Sequence, residues 1–145
     1  MSTAQAVYPD LEGKTVLVSG GASGIGEFMV RAFAAQGAKV GFVDRAQSQG
    51  ERLAALLSSA GHTVEFVCCD ITDEIAYKAA IERFEHSLGP ITVLVNNAAN
   101  DVRHTLEEVD SDTFDKLISV NLKHAFFAAK AVVPMMKAAG GGAII

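Results

Sequence analysis

Four times along this chain a short, almost unbroken apolar run is followed by a stretch whose apolar residues recur at every third or fourth position. The runs are Lys14–Val18, Ala38–Val43, Thr63–Cys69 and Ile91–Val95. A strand that is apolar on successive positions is buried on both faces, the situation found in parallel sheets covered by helices. Strands that alternate with helices through short joints form right-handed crossover units. The predicted fold class is therefore α/β, a doubly wound parallel sheet with helices on both faces. In such sheets ligands sit outside the carboxyl ends of the strands, beside the point where strand order reverses. The residues that follow each run are thus the ones to inspect.

The helical stretches carry their own marks. Ile25–Gln36 has Ile25, Met29, Ala32 and Phe33 at helical spacing and Gly37 as its stop. Gln47–Ala60 carries Leu53, Leu56 and Leu57 and closes at Gly61, and Asp73–Leu88 carries Ile75, Ala79, Ile81, Phe84 and Leu88 before Gly89-Pro90. A long helix is predicted over Ser111–Ala138, with Phe114, Leu117, Ile118, Asn121, Ala125, Ala129, Val132 and Met136 along one stripe. Pro134 is expected to end or kink it. Ala143–Ile145 reads as a fifth strand that is cut off as it begins.

The 145 residues fit one domain, expected over 11–145 behind a disordered tail of residues 1–10. Half the chain is hydrophobic and a fifth is charged, which excludes a disordered or low-complexity chain. A net charge of −5 argues against a basic face for nucleic acid or anionic membrane. Met1–Pro9 lacks the apolar core of a signal peptide. Ala125–Ile145 is too interrupted by Lys130, Pro134, Lys137 and glycines to span a bilayer. Cys68 and Cys69 are adjacent, so they offer neither a disulfide framework nor a CxxC site. The expectation is a soluble cytoplasmic domain. His62, His86, His104 and His124 form no ligand spacing and are expected at the surface or in loops, and no metal site is expected.

After the first strand comes Ser19-Gly20-Gly21-Ala22-Ser23-Gly24-Ile25-Gly26. Glycines let the chain turn tightly and let backbone N–H groups approach a ligand. The helix that they open presents a positive dipole end suited to a pyrophosphate, although an ordinary strand–helix joint has the same look. Gly13-Lys14-Thr15 resembles the end of a P-loop, but it precedes the strand and has Tyr8 where that motif needs glycine. After the second strand Asp44 can accept both hydroxyls of an adenosine ribose and repel a 2′-phosphate, whereas its neighbour Arg45 favours that phosphate. NAD is therefore expected over NADP. After the third strand Asp70 either meets an adenine amino group, with Ile71 packed on the ring, or Asp70 or Thr72 caps the next helix. After the fourth comes Asn96-Asn97-Ala98-Ala99-Asn100, small residues and paired amides that suit a flat cofactor face or simply a turn. Asn121, placed on an apolar stripe, is expected to be a buried amide with either a structural or a functional partner.

Taken together, these motifs resemble the short-chain dehydrogenase/reductase family. The family pattern Thr-Gly-x-x-x-Gly-x-Gly corresponds to Ser19-Gly20-x-x-x-Gly24-Ile25-Gly26, with serine for threonine. Its Asn-Asn-Ala-Gly corresponds to Asn96-Asn97-Ala98-Ala99, and its helix asparagine to Asn121 within Ser119-Val120-Asn121-Leu122. The resemblance runs from about Leu11 to Ile145 and implies a Rossmann-type sheet, truncated here at the fifth strand. It implies NAD-linked oxidation of an alcohol or reduction of a carbonyl. It places Gly20, Ala22, Ser23, Gly24, Ile25, Gly26, Asp44, Arg45, Asp70, Ile71, Asn97, Ala98 and Val120 around the cofactor and makes Asn121 a catalytic residue. The implied tetrad also needs a serine after the fifth strand and a Tyr-x-x-x-Lys. The two tyrosines here, Tyr8 and Tyr77, have Glu12 and Ile81 four residues on. This chain is therefore expected to be inactive alone, and to self-associate through the 111–138 helix, whose stripe would lack its usual neighbours. A naturally short, non-catalytic binding or interaction module is the alternative reading. A methyltransferase shares the glycine loop and the strand-two acid but lacks the Asn-Asn-Ala-Ala and Ser-Val-Asn motifs.

Overall fold

A computed structural model describes residues 6–145. Five parallel strands form one sheet in the order β3-β2-β1-β4-β5: β1 (Thr15–Ser19), β2 (Lys39–Asp44), β3 (Val64–Cys68), β4 (Ile91–Val95) and β5 (Ala143–Ile144). Every residue of β1 is buried, as an apolar run in the centre of a doubly covered sheet must be. The order reverses at β1: the chain steps outward through β2 and β3, then crosses back to place β4 on the other side. The fold is thus the Rossmann-like α/β sheet that the alternation predicts.

Helices cover both faces. The helices α1 (Gly24–Ala35) and α2 (Gln47–Ser59) lie on one face, where Val30, Ala34, Leu53 and Leu57 meet Val16, Val18, Val40 and Phe42. On the other face lie α3 (Glu74–Leu88) and α5 (His124–Ala138), where Tyr77, Ile81, Phe84, Ala128 and Val132 meet Leu17, Val43, Ile91 and Leu94. Because the strands are buried on both sides, neighbouring residues of one strand enter different cores: Val16 and Val18 point one way, Leu17 the other. Glu65 ties the edge strand β3 to α3 through Arg83 Nε at 2.6 Å and through the Ser87 hydroxyl. Among the described residues no helix is long and apolar enough to cross a membrane.

Several expected contacts differ. In α1 the buried side is Gly26, Val30 and Ala34, while Ile25 is exposed. In α3 Ile75 and Ala79 face solvent and Tyr77 takes a core position. Periodicity fixes which residues share a face but leaves a rotation of one position nearly free, and the sheet selects the rotation. The helix over 111–138 is divided into α4 (Ser111–Ile118) and α5 by a π turn at Ser119–Lys123. That wide turn takes in an additional residue, so the buried stripe steps from half-buried Leu117 and Val120 to His124, Ala128, Val132 and Met136. Asn121 is thereby exposed, not buried, and His124 is 3 % exposed, not a surface residue. Pro134 does not end the helix, which continues to Ala138; it is exposed, and it removes only its own amide from the helical ladder. Of the expected disordered tail, residues 1–5 lie outside the described residues. The rest is tied to α1, since Gln36 accepts from the Tyr8 amide (2.8 Å) and donates to the Ala6 carbonyl (3.0 Å).

Candidate functional site

The carboxyl ends of β1, β2 and β4 open on a cleft of about 1290 Å³, bounded across its mouth by α4 and the π turn. It sits at the reversal of strand order, where open α/β sheets bind ligands. Of the residues that the sequence nominates, Gly20, Ser23, Gly24, Ile25, Gly26, Asp44, Arg45, Ile71, Asn97, Ala98 and Val120 line it.

The glycine loop is built by close approach. Gly20 has φ +68, which a side chain rarely adopts, and a Cβ there would lie 3.0 Å from Ala98 Cα. A Cβ on Gly26 would fall 1.9 Å from the Gly20 carbonyl oxygen, so α1 can start against the loop only with glycine at that position. The loop amides divide into two sets. Those of Gly20 and Gly21 donate to the Val43 carbonyl at 2.8 and 3.1 Å, and that of Ala22 to Asp44 Oδ2 at 3.0 Å. The first amide bonded within α1 is Glu27, to the Ser23 carbonyl, and the Ser23 hydroxyl makes no capping bond. The amides of residues 23–26 are therefore presented together at a helix N-terminus, the standard geometry for an anionic group. Ala22 is buried beneath the loop, so it supports the cleft instead of lining it.

Ser19 and Asn97 join β1 to β4. The Ser19 hydroxyl accepts the amides of Asn97 (3.1 Å) and Ala98 (3.2 Å), while Asn97 Nδ2 donates to the carbonyls of Ser19 (3.0 Å) and Gly20 (3.1 Å). The paired amides that the sequence offers for a turn or a cofactor face thus hold the turn, and the small Ala98 and Ala99 form the surface. Asp44 accepts from Ala22 and, through Oδ1, from the Ala46 amide at 2.9 Å, which fixes its carboxylate at the end of β2. Asp70 does not cap α3; Asp73 does, accepting the amides of Ile75 and Ala76. Asp70 Oδ1 accepts from the Thr72 amide (2.9 Å) and hydroxyl (2.7 Å), and its other oxygen lies 3.7 Å from Arg45 Nη1. The Thr72 bonds, with a lesser contribution from Arg45, hold the Asp70 carboxyl below its ordinary range.

Asn121 sits in the π turn and pairs with the backbone of Asn100, accepting its amide (2.8 Å) and donating to its carbonyl (3.0 Å). The wide turn brings the amide to the loop after β4, and this fastens the roof of the cleft. Asn100 and Ser119, named in the sequence only as members of their motifs, also line it, as do Asp101, Asp115 and Lys116, which the sequence did not single out. Lys116 stands four residues before Val120, a helical spacing that could have shown it. Cys69 lines the cleft with its thiol pushed up to about 11, chiefly by burial and then by Asp70, so it is no nucleophile.

The family model for short chain dehydrogenases matches residues 14–145. A protein described as a probable galactose dehydrogenase from Rhizobium meliloti is 44 % identical over 149 residues, which take in 100 % of this chain and 57 % of that protein. A D-xylose 1-dehydrogenase from Caulobacter vibrioides is 43 % identical over 97 % of this chain and 55 % of its own length. Among solved structures, a blue fluorescent protein from a metagenomic library in complex with NADPH superposes with a TM-score of 0.81 and 32 % identity, over 86 % of this chain and 51 % of that one. A Serratia marcescens short-chain dehydrogenase/reductase variant superposes with a TM-score of 0.83 and 32 % identity, over 89 % and 53 %. The chain spans a little over half the length of these curated relatives.

Proposed function

Because the chain belongs to the short-chain dehydrogenase family, we propose that residues 11–145 are the dinucleotide-binding part of an NAD-linked oxidoreductase that interconverts an alcohol and a carbonyl. The observation that carries this reading is the set of amides from residues 23–26, free of bonds within the protein and facing the cleft beside the fixed Asp44 carboxylate. The cofactor's pyrophosphate fits those amides, and its adenosine ribose fits Asp44, which has lone pairs left after its two backbone bonds. The cradle passes the test of room as well: a Cβ at Gly24 would meet nothing within 4 Å, so the loop is open where a phosphate must come. Ala98 and Val120 would flank the nicotinamide, which supplies or takes the hydride when bound.

Asn121 holds the loop after β4 against the π turn through Asn100, and this pairing keeps the amide of Asn121 in a fixed orientation. Neither tyrosine can act as the proton donor. Tyr77 is buried in the core with its hydroxyl pushed well above its usual range, and Tyr8 lies against Gln36 at the amino end of β1. The 145 residues alone are thus expected to bind cofactor without turning over. The relatives named for galactose and D-xylose, at 44 and 43 % identity, stand beside one named a 3-alpha-(or 20-beta)-hydroxysteroid dehydrogenase at 40 %, so the reading extends to an alcohol or carbonyl substrate and not to a narrower class. Calorimetry with NAD tests the reading. Saturable binding that weakens at least about tenfold in Asp44→Ala supports it, and no heat of binding at millimolar NAD would refute it.

A further inference from the structure

Next to the ribose-reading carboxylate stands a guanidinium, the group best shaped to grip a phosphate with two parallel hydrogen bonds. Left to itself, Arg45 would offset Asp44 and draw in a 2′-phosphorylated ribose. It is not left to itself. β2 and β3 are paired neighbours with Asp44 opposite Cys68, and just past their ends Arg45, at the rim of the cleft, lies beside Asp70. Asp70 is anchored on one side only. Oδ1 is taken by the amide and hydroxyl of Thr72, which turns Oδ2 toward Arg45 Nη1 at 3.7 Å.

We propose that Asp70 is a positioning residue for cofactor choice: by holding and neutralising the Arg45 guanidinium it removes the one partner that a 2′-phosphate would find beside Asp44. The inference rests on the dinucleotide reading above and goes beyond it by assigning the choice between NAD and NADP to a pair and not to Asp44 alone. At the ends of β2 and β3 the carboxylates of Asp44 and Asp70 stand near the one guanidinium of Arg45, so the local balance is negative where NADP would bring two further negative charges. Asn at position 70 keeps an oxygen for Thr72 while it removes the charge, leaving one carboxylate against one guanidinium. The Arg45 side chain is largely exposed, which limits the pair to the strength of a surface ion pair, a factor of roughly 1.5 to 5 in an equilibrium.

The experiment is calorimetric titration of this chain with NAD and with NADP at ~50 mM salt, for wild type, Asp70→Asn, Arg45→Ala and the double variant. The expected result is wild-type preference for NAD and a preference reduced roughly fivefold in Asp70→Asn, with no such gain for NADP in the double variant. An equal loss for both nucleotides in Asp70→Asn would show that the residue only touches the base, and would overturn the proposal. So would a shift toward NADP that survives Arg45→Ala. Wild type that binds neither nucleotide would sink the dinucleotide reading itself, and this inference with it. Binding of NAD with an unmoved NADP ratio in Asp70→Asn sinks the inference alone.

Discussion

Ser19 is fully buried, and its hydroxyl oxygen receives two amides from the loop that follows β4. Deleting it leaves the half-buried Asn97 and Ala98 amides without their partner, so Ser19→Ala is expected to cost about 1–3 kcal/mol in urea unfolding. His124 shows the opposite case, a polar group with no hydrogen-bond partner in the core, tilted against Tyr77 with ring centroids 6.4 Å apart. Burial keeps its imidazole below the ordinary histidine range. The sign follows from which state binds the proton. As pH falls through the unfolded-state value of ~6.5 the unfolded chain takes up a proton that the native chain resists, so stability declines toward acid at up to ~1.4 kcal/mol per pH unit. Thermal unfolding between pH 7.5 and 5 should show this slope in wild type and a shallower one in His124→Gln; equal slopes would exclude His124 as the source. The motif residues were legible at this scale because each depends on local chemistry, a glycine φ or a carboxylate at a strand end. The burial of His124 was not, because a lone histidine has no pattern.

At the scale of elements, the strands are fixed by composition, and two of the helices, α3 and α4, are fixed at their starts by capping aspartates. Asp73 caps α3 through the amides of Ile75 and Ala76, and Asp110 caps α4 through Thr113 at 2.8 Å. Asp73→Ala is expected to lower stability by about 1 kcal/mol without moving cofactor affinity, a split that unfolding and calorimetry on the same variant can read. Asn121→Ala predicts the converse. The residue is exposed and holds the loop after β4 by two bonds to Asn100, so its loss should loosen that loop, with faster amide exchange across 97–103 and little change in unfolding midpoint. The helix over 111–138 was legible in length and position. Its π turn was not, because the additional residue is taken up to meet the β4 loop and to seat α5 on the sheet, a demand that lies outside the segment itself.

At the scale of the whole molecule, Phe114, Ile118, Leu122 and Phe126 stand exposed at four-residue intervals along α4, the π turn and α5. An exposed apolar row of this kind is costly to leave in water, and covering it would favour association. Self-association through it is the expected outcome, with light scattering showing concentration-dependent mass in wild type and a monomer in Leu122→Glu/Phe126→Glu. A wild-type monomer up to ~100 μM would remove the helix face from consideration.

By itself, the order of apolar runs and helical periods determined the α/β class, the parallel sheet and the strand ends at which a ligand would sit, because those follow from the need to bury backbone and apolar surface together. Tertiary structure alone decided the rotation of each helix, the exposure of Asn121, the burial of His124 and Tyr77, and the meeting of Arg45 with Asp70. Each of these depends on distances between segments far apart in the chain, and a one-dimensional pattern holds periods but no distances.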